Sequence, residues 1–181
     1  MELLDQRWNL VWGVQRSARY HARRQGFFDT WRKATSFVSV LFASAAAVDL
    51  LNKGDLFVAV IASFVVATMS AFDLVVGTAD MARKHDDLRR RFVALESTIK
   101  PEEESTDADV NAWCRERLAI EIDEPPIYVA VDLLCENELA MSKGDQPRVV
   151  ISFWRRLLAN WWRQEDLWPK RIPPVTPPAA A

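Results

Sequence analysis

The chain is poor in the residues that build most catalytic and metal centres. It has two histidines, His21 and His85, 64 positions apart, and two cysteines, Cys114 and Cys135, with neither metal-site spacing nor the density of a disulfide framework. There is no Gly-rich phosphate loop, no Ser or Cys nucleophile in a recognisable turn, and no paired metal motif. His85 stands beside Asp86 with no second histidine expected within reach, so it reads as part of a solvated helix face. The carboxylates are numerous and fall on expected surface faces. No catalytic residue, cofactor or metal is expected, and the cysteines read as reduced thiols in cytoplasmic helices.

Glycine is scarce as well, five in 181 residues, and period-2 alternation is rare, so the expected fold class is all-α. The N-terminus MELLDQRW is polar and acidic where a signal peptide has a basic region, so no signal peptide is expected. A net charge of −2 exerts no general pull toward nucleic acid. The charge is unevenly placed: basic over 16–33 and 83–91, acidic over 102–124. Basic residues beside apolar helices suit anionic lipid headgroups better than a nucleic-acid groove, so no nucleic-acid partner is expected.

What the chain does have is uncharged apolar sequence. Residues 34–48, ATSFVSVLFASAAAV, and 56–72, LFVAVIASFVVATMSAF, contain 15 and 17 positions without an acid or a base. At ~1.5 Å per residue they reach roughly 22 to 26 Å, and flanking Leu50, Leu51, Leu74 and Val75 bring them toward the ~30 Å hydrocarbon core. The link Asn52-Lys53-Gly54-Asp55 has the chemistry of a tight αα-turn, a glycine after one helix and an aspartate to cap the next. Arg16, Arg19, Arg23, Arg24, Arg32 and Lys33 precede the pair, and Arg83, Lys84, Arg89, Arg90 and Arg91 follow it. The positive-inside rule then puts both termini in the cytoplasm and the turn outside. A soluble helical protein with two helices apolar all round is the competing reading, and length does not exclude it.

The resulting organisation is a single domain over 1–168. It has a two-helix transmembrane hairpin at 33–51 and 56–76 and a cytoplasmic helical bundle formed by the N- and C-terminal helices, 1–32 and 77–168. A Pro/Ala-rich tail at 169–181 is expected to be disordered or extended. Residues 1–33 read as one amphipathic helix with Leu4, Trp8, Val11 and Trp12 in a stripe and Gly26 as a bend point. Met81, Leu88, Phe92 and Leu95 continue a helical stripe from Gly77 to Pro101.

Within the second apolar block Ala59, Ser63, Ala67 and Ala71 recur every four residues, a ridge of small side chains over which helix backbones can approach in lipid. The ridge could mate within one hairpin or between copies. Asp49 and Asp73 lie near block ends, where a carboxylate can snorkel; Asp73 is also a candidate for lining a pore or linking helices. Trp31, just before the first block, reads as an interfacial anchor. Further on, RVVISFWRRLLANWWRQEDLW reads as a basic helix with Trp154, Trp161 and Trp162 on a broad apolar face, suited to a membrane interface and equally to closing a bundle or an oligomer.

One resemblance gathers these features. An Arg-rich lead helix, an apolar hairpin closing with FDLVV, the stretch ADMARKHDDLRRRFVALE, and then EPPIYVAVDLLCENELA together resemble the SLATT family of bacterial two-transmembrane effector domains. The likeness covers roughly 10 to 160, and His85–Leu88 and Glu124-Pro125-Pro126 leading to Cys135-Glu136-Asn137-Glu138 are its most specific parts. It implies a membrane effector of conflict systems, a homo-oligomer in the bilayer of the inner membrane that forms pores when a nucleotide-sensing or other signalling partner is triggered. The alternative from the residues is a soluble or peripheral helical scaffold with the apolar hairpins buried at its centre.

Overall fold

The computed structural model describes residues 2–51, 56–101 and 104–167. The expected turn at 52–55 and the expected tail at 169–181 lie outside the described residues, as do the side chains of Leu4 and Asp49. The order of helices is α1 (Glu2–Leu51), α2 (Leu56–Val76), α3 (Thr78–Thr98), α4 (Asp107–Glu121), α5 (Val129–Ser142) and a short α6 (Phe153–Leu157). A 3-10 turn at Glu165–Leu167 follows. Among the described residues there is no strand, and the fold is all-α.

The helices run long because little interrupts them. The first proline is Pro101, so α1, α2 and α3 keep every backbone N–H. Gly26, the expected bend point, lies in unbroken helix. Gly77 is different: at φ +62 it takes a left-handed conformation that other residues resist, and it separates α2 from α3. The break is stitched across, because Gly77 N–H reaches Asp73 O at 2.9 Å and the Thr78 hydroxyl donates to the Asp73 carboxylate. Helix α4 starts on a capping box: Thr106 Oγ1 accepts from Asp109 N–H, and the Asp109 carboxylate accepts from Thr106 N–H at 3.1 Å. The Thr106 hydroxyl also donates to that carboxylate at 2.8 Å, and this bond together with the one from Thr106 N–H holds the Asp109 carboxyl below the usual aspartate range.

The chain divides into two compact units. The first comprises Met1–Arg24 with His85–Ala181, the second Gln25–Lys84. In the first, Leu10, Val14 and Ala18 of α1 pack with Leu88, Phe92 and Leu95 of α3 and with Val110, Trp113 and Ile120 of α4. Each fully buried Leu or Phe there contributes about 2 to 3 kcal/mol. A second cluster sets Tyr20 against Ala130, Val131, Leu134 and Cys135 of α5, and a third packs Trp12 on Leu139 and Ala140. Helix α1 is therefore wrapped on several sides. Gly13 belongs to this wrapping, since a methyl group there would overlap the Arg117 guanidinium.

In the second unit the later part of α1 and α2 lie side by side and antiparallel. Ala46 packs with Ala59 and Ala62 toward one end, and Trp31 meets Phe72 edge-on at 5.5 Å toward the other. Small residues at the first contact allow the backbones to approach closely.

Candidate functional site

Among the described residues, one helical stretch, Phe57–Thr98, carries a window long and apolar enough to cross a membrane, with mean hydropathy 2.1. Only 11% of that window is buried within the protein. Val60, Phe64, Leu74 and Val75 of α2 are exposed, as are Phe37, Val40, Leu41 and Val48 of α1. A core helix of a soluble domain would bury such residues. Here apolar side chains cover the outside of the pair.

The small-residue ridge divides on the structure. Ala59 is buried in the contact with Ala46 and Ala62, while Ser63, Ala67 and Ala71 are exposed on α2. A stripe of more enclosed positions on α2 runs instead through Ala59, Ala62, Val66, Met69 and Asp73, at alternating spacings of three and four, with Val65 beside it. Ser63 Oγ bonds its own helix at Ala59 O, 2.8 Å away.

Asp73 stands at the end of that stripe. It helps line a cleft of about 330 Å³ with Thr35, Ser36, Ser39, Met69 and Ser70, so hydroxyls from α1 and α2 surround the one carboxylate of the lining. Its Oδ1 also accepts from Thr78, which ties α2 to α3.

In the first unit the buried polar groups depart from the sequence expectation. His85 does not lie on a solvated face: it is 1% exposed and its Nδ1 is 2.8 Å from Nδ1 of His21, which is fully enclosed. The Nε2 of His21 lies 3.0 Å from Glu124 Oε1. The histidines 64 positions apart in sequence are thus neighbours in space. The signal was present, because His85 falls three before Leu88 and seven before Phe92, and His21 falls seven after Val14, each on its helix's core stripe.

Asp132 and Glu136 likewise leave the expected surface. Glu136, 2% exposed, accepts from Trp12 Nε1 at 2.9 and 3.0 Å and meets Arg16 at 3.4 Å and Arg148 at 3.2 Å. Asp132 pairs with Arg16 at 3.3 Å, yet burial pushes its carboxyl above the usual aspartate range and that pairing only partly offsets it. Asn137 accepts from the N–H groups of Arg148 and Val149 and donates to Val149 O, and Glu138 pairs with Arg23. The tetrapeptide Cys135-Glu136-Asn137-Glu138 therefore fastens α5 to its surroundings. Arg24 is also inside, bonded to Asn160 O at 2.8 Å and stacked 3.9 Å over the Tyr128 ring, and burial lowers its pKa.

The expected long C-terminal helix is broken up. Only Phe153–Leu157 is α-helical, followed by turns at 158–161 and the 3-10 turn at Glu165–Leu167. Gln164 at φ +49 marks the interruption. Trp154, Trp161 and Trp162 remain exposed, while Trp31 is half-buried against Phe72. Arg155 and Arg163 are paired with Asp166 and Glu165 at 2.7 and 3.1 Å, which reduces the basic character of this segment.

Among the described residues no group of three or more His, Cys, Asp or Glu side chains is arranged to hold a metal ion. Comparison of the chain with protein-family models, with curated proteins and with solved structures gives no match.

Proposed function

We propose that the chain is a membrane-embedded oligomeric effector of the SLATT type, with the α1–α2 pair as a two-helix transmembrane hairpin and the first unit as its cytoplasmic head. Both termini are cytoplasmic, the protein is multi-pass in the inner membrane, and assembly of several copies forms a pore or disrupts the bilayer in anti-phage defence. It is not an enzyme and takes no cofactor. A signalling partner supplies the trigger, and the lipid bilayer is its first partner.

The observation that carries this reading is an apolar helical window of mean hydropathy 2.1 that is only 11% buried. In water such a surface would lose roughly 25 cal/mol for every Å² left uncovered, and a bilayer covers it without a further protein. Exposed Ser63, Ala67 and Ala71 leave a small-residue face over which neighbouring copies pack. Asp73 among the hydroxyls of Thr35, Ser36, Ser39 and Ser70 is the group best suited to a polar path.

A second reading, a soluble helical scaffold with the apolar pairs gathered at its centre, draws on a different observation. Arg16, Arg23, Arg24 and Arg91 all have partners inside the first unit, so part of the basic flank has a structural use besides membrane orientation. Alkaline carbonate extraction of membranes separates the two: the effector stays in the pellet and the scaffold is released. For topology, an Asn52→Cys variant reacts with an impermeant thiol reagent on intact cells only if the turn is outside.

A further inference from the structure

The two histidines of the chain form a buried pair that the membrane reading does not use. Their Nδ1 atoms are 2.8 Å apart, a distance that requires one hydrogen between them. A carboxylate only accepts, so His21 Nε2 carries a hydrogen toward Glu124. A neutral His21 then has a bare Nδ1, and His85 Nδ1–H donates to it. One further proton is tolerated, because an imidazolium on either ring still donates to the bare nitrogen of the other. A second is not, since two N–H groups would point at each other across 2.8 Å.

We infer that His21, His85 and Glu124 form a proton-operated latch, in which protonation of both imidazoles breaks the His21–His85 bond and parts α1 from α3. The chain leaves the first unit after Arg24 and re-enters it at His85, so the latch joins the two helices at the ends of those crossings. Protons have a route that avoids the packed core. Glu124 lines a cleft of about 190 Å³ together with Arg16, Tyr20 and Asp132, room enough for several waters.

Every element around the pair bears on the charge. From α1, Tyr20 sets its ring edge-on to both imidazoles, at 5.2 and 6.2 Å, and Arg24, one turn beyond His21, is engaged by Asn160 O and the Tyr128 ring. From α3, Phe92 stacks on His21 at 5.6 Å, and Asp86, next to His85, is engaged by Arg89 and Arg90. From α4, Arg117 is held by Glu121, and from α5, Asp132 is held by Arg16. The parted state binds one proton more than the closed one, so acid favours parting by about tenfold for each pH unit below the histidine range.

The test uses the full chain, in detergent or in buffer alone, so its outcome is separate from the membrane reading. With ¹⁵N-labelled histidine only two imidazoles report. At pH 7.5 the expected result is His21 as the Nε2–H tautomer, His85 as the Nδ1–H tautomer, and a coupling through the hydrogen bond between their Nδ1 atoms. At pH 5 the coupling is lost, and amide exchange near His21 and His85, corrected for intrinsic rate, quickens by about tenfold or more. His85→Asn keeps an N–H donor near the Nδ1 position but cannot take up the proton, so its amides stay protected at pH 5. Two identical tautomers without coupling would overturn the latch, as would acid opening of His85→Asn equal to that of wild type. Zinc binding at neutral pH that shifts both Nδ1 resonances would make the pair a metal site and overturn it too. If His85→Asn does not fold, the wild-type coupling and its loss in acid decide the matter.

Discussion

Trp12 and Glu136 meet across 124 positions of sequence, the indole N–H lying 2.9 and 3.0 Å from the two carboxylate oxygens. Arg148 completes the arrangement from both sides, since its guanidinium reaches Glu136 Oε1 and also sits 4.5 Å over the Trp12 ring. A buried carboxylate is tolerable because Trp12, Arg16 and Arg148 all turn donors toward it.

Glu136→Ala should therefore cost about 3 kcal/mol, because it leaves the indole and two guanidinium groups facing a void. Glu136→Gln should cost less, keeping one acceptor for Trp12 while losing the charge. Urea unfolding followed by circular dichroism ranks the two. Equal stability of Glu136→Ala and wild type would mean that the bonds of Glu136 to Trp12, Arg16 and Arg148 contribute nothing to holding α1 against α5.

Alkaline pH should loosen the same unit through Tyr20. Burial pushes its hydroxyl from 10.0 up to about 12, and the hydroxyl accepts from Tyr128 N–H at 3.0 Å. The folded form thus holds its proton more tightly than the unfolded chain. That contribution is complete below pH 10 and is lost as pH rises from there toward 12. Tyr20→Phe should cost about 1 kcal/mol at neutral pH through the unpaired N–H, and its alkaline unfolding should be shallower than that of wild type. Matching alkaline slopes would contradict the assignment.

Much of the fold was legible in the sequence, and the misses share a cause. The extent of α2 was readable from its uncharged block and the apolar residues after Asp73, whereas the left-handed break at Gly77 was not, because the helical stripe continues past it. His85 departs from the expected solvated face because its register with Leu88 and Phe92 places it on the core stripe, whatever the polarity of its neighbour Asp86. Asp132 and Glu136 leave the expected surface because partners on another helix, Trp12 and Arg16, more than 110 positions away, compensate their charge, which spacing along α5 does not encode. The basic tryptophan segment was expected as one long helix, yet its turns follow contacts that periodicity does not encode: Gln164 bonds Arg155 O, and Arg24 takes up Asn160 O. On the ridge, four-residue spacing identified small side chains but not the face, because Ala62 and not Ser63 joins Ala59 in the contact.

Two alanine positions should separate packing within a copy from packing between copies. Ala62→Leu adds volume where α2 touches α1 and should destabilise the pair by about 1 to 3 kcal/mol. Ala67→Leu lies on an exposed face, so it should leave the pair intact while weakening assembly. Chemical crosslinking of both variants in membranes measures this, and unchanged oligomers in Ala67→Leu would remove that face from the assembly contact.

Phe64→Arg distinguishes the two environments for the pair. The side chain is 71% exposed in mid-helix, so in water the change should alter stability by no more than about 0.5 kcal/mol. In a bilayer it opposes insertion by about 2.5 to 3.5 kcal/mol and should abolish depolarisation on overexpression. Asp73→Asn should insert and assemble but alter conductance, recorded in planar bilayers. Unchanged currents would leave Asp73 only its bond to Thr78.

The two thiols are unlike in one further respect. Cys135 is fully buried and its thiol is pushed from 9.0 up to about 12, chiefly by burial, with Glu138 adding to it. Cys114 is only half-buried on α4. Each copy of the folded chain therefore offers a covalent valence of one. Oxidation can join copies in twos but cannot string them into a ladder, so a non-reducing gel of the folded protein should stop at the dimer band whatever the size of the assembly.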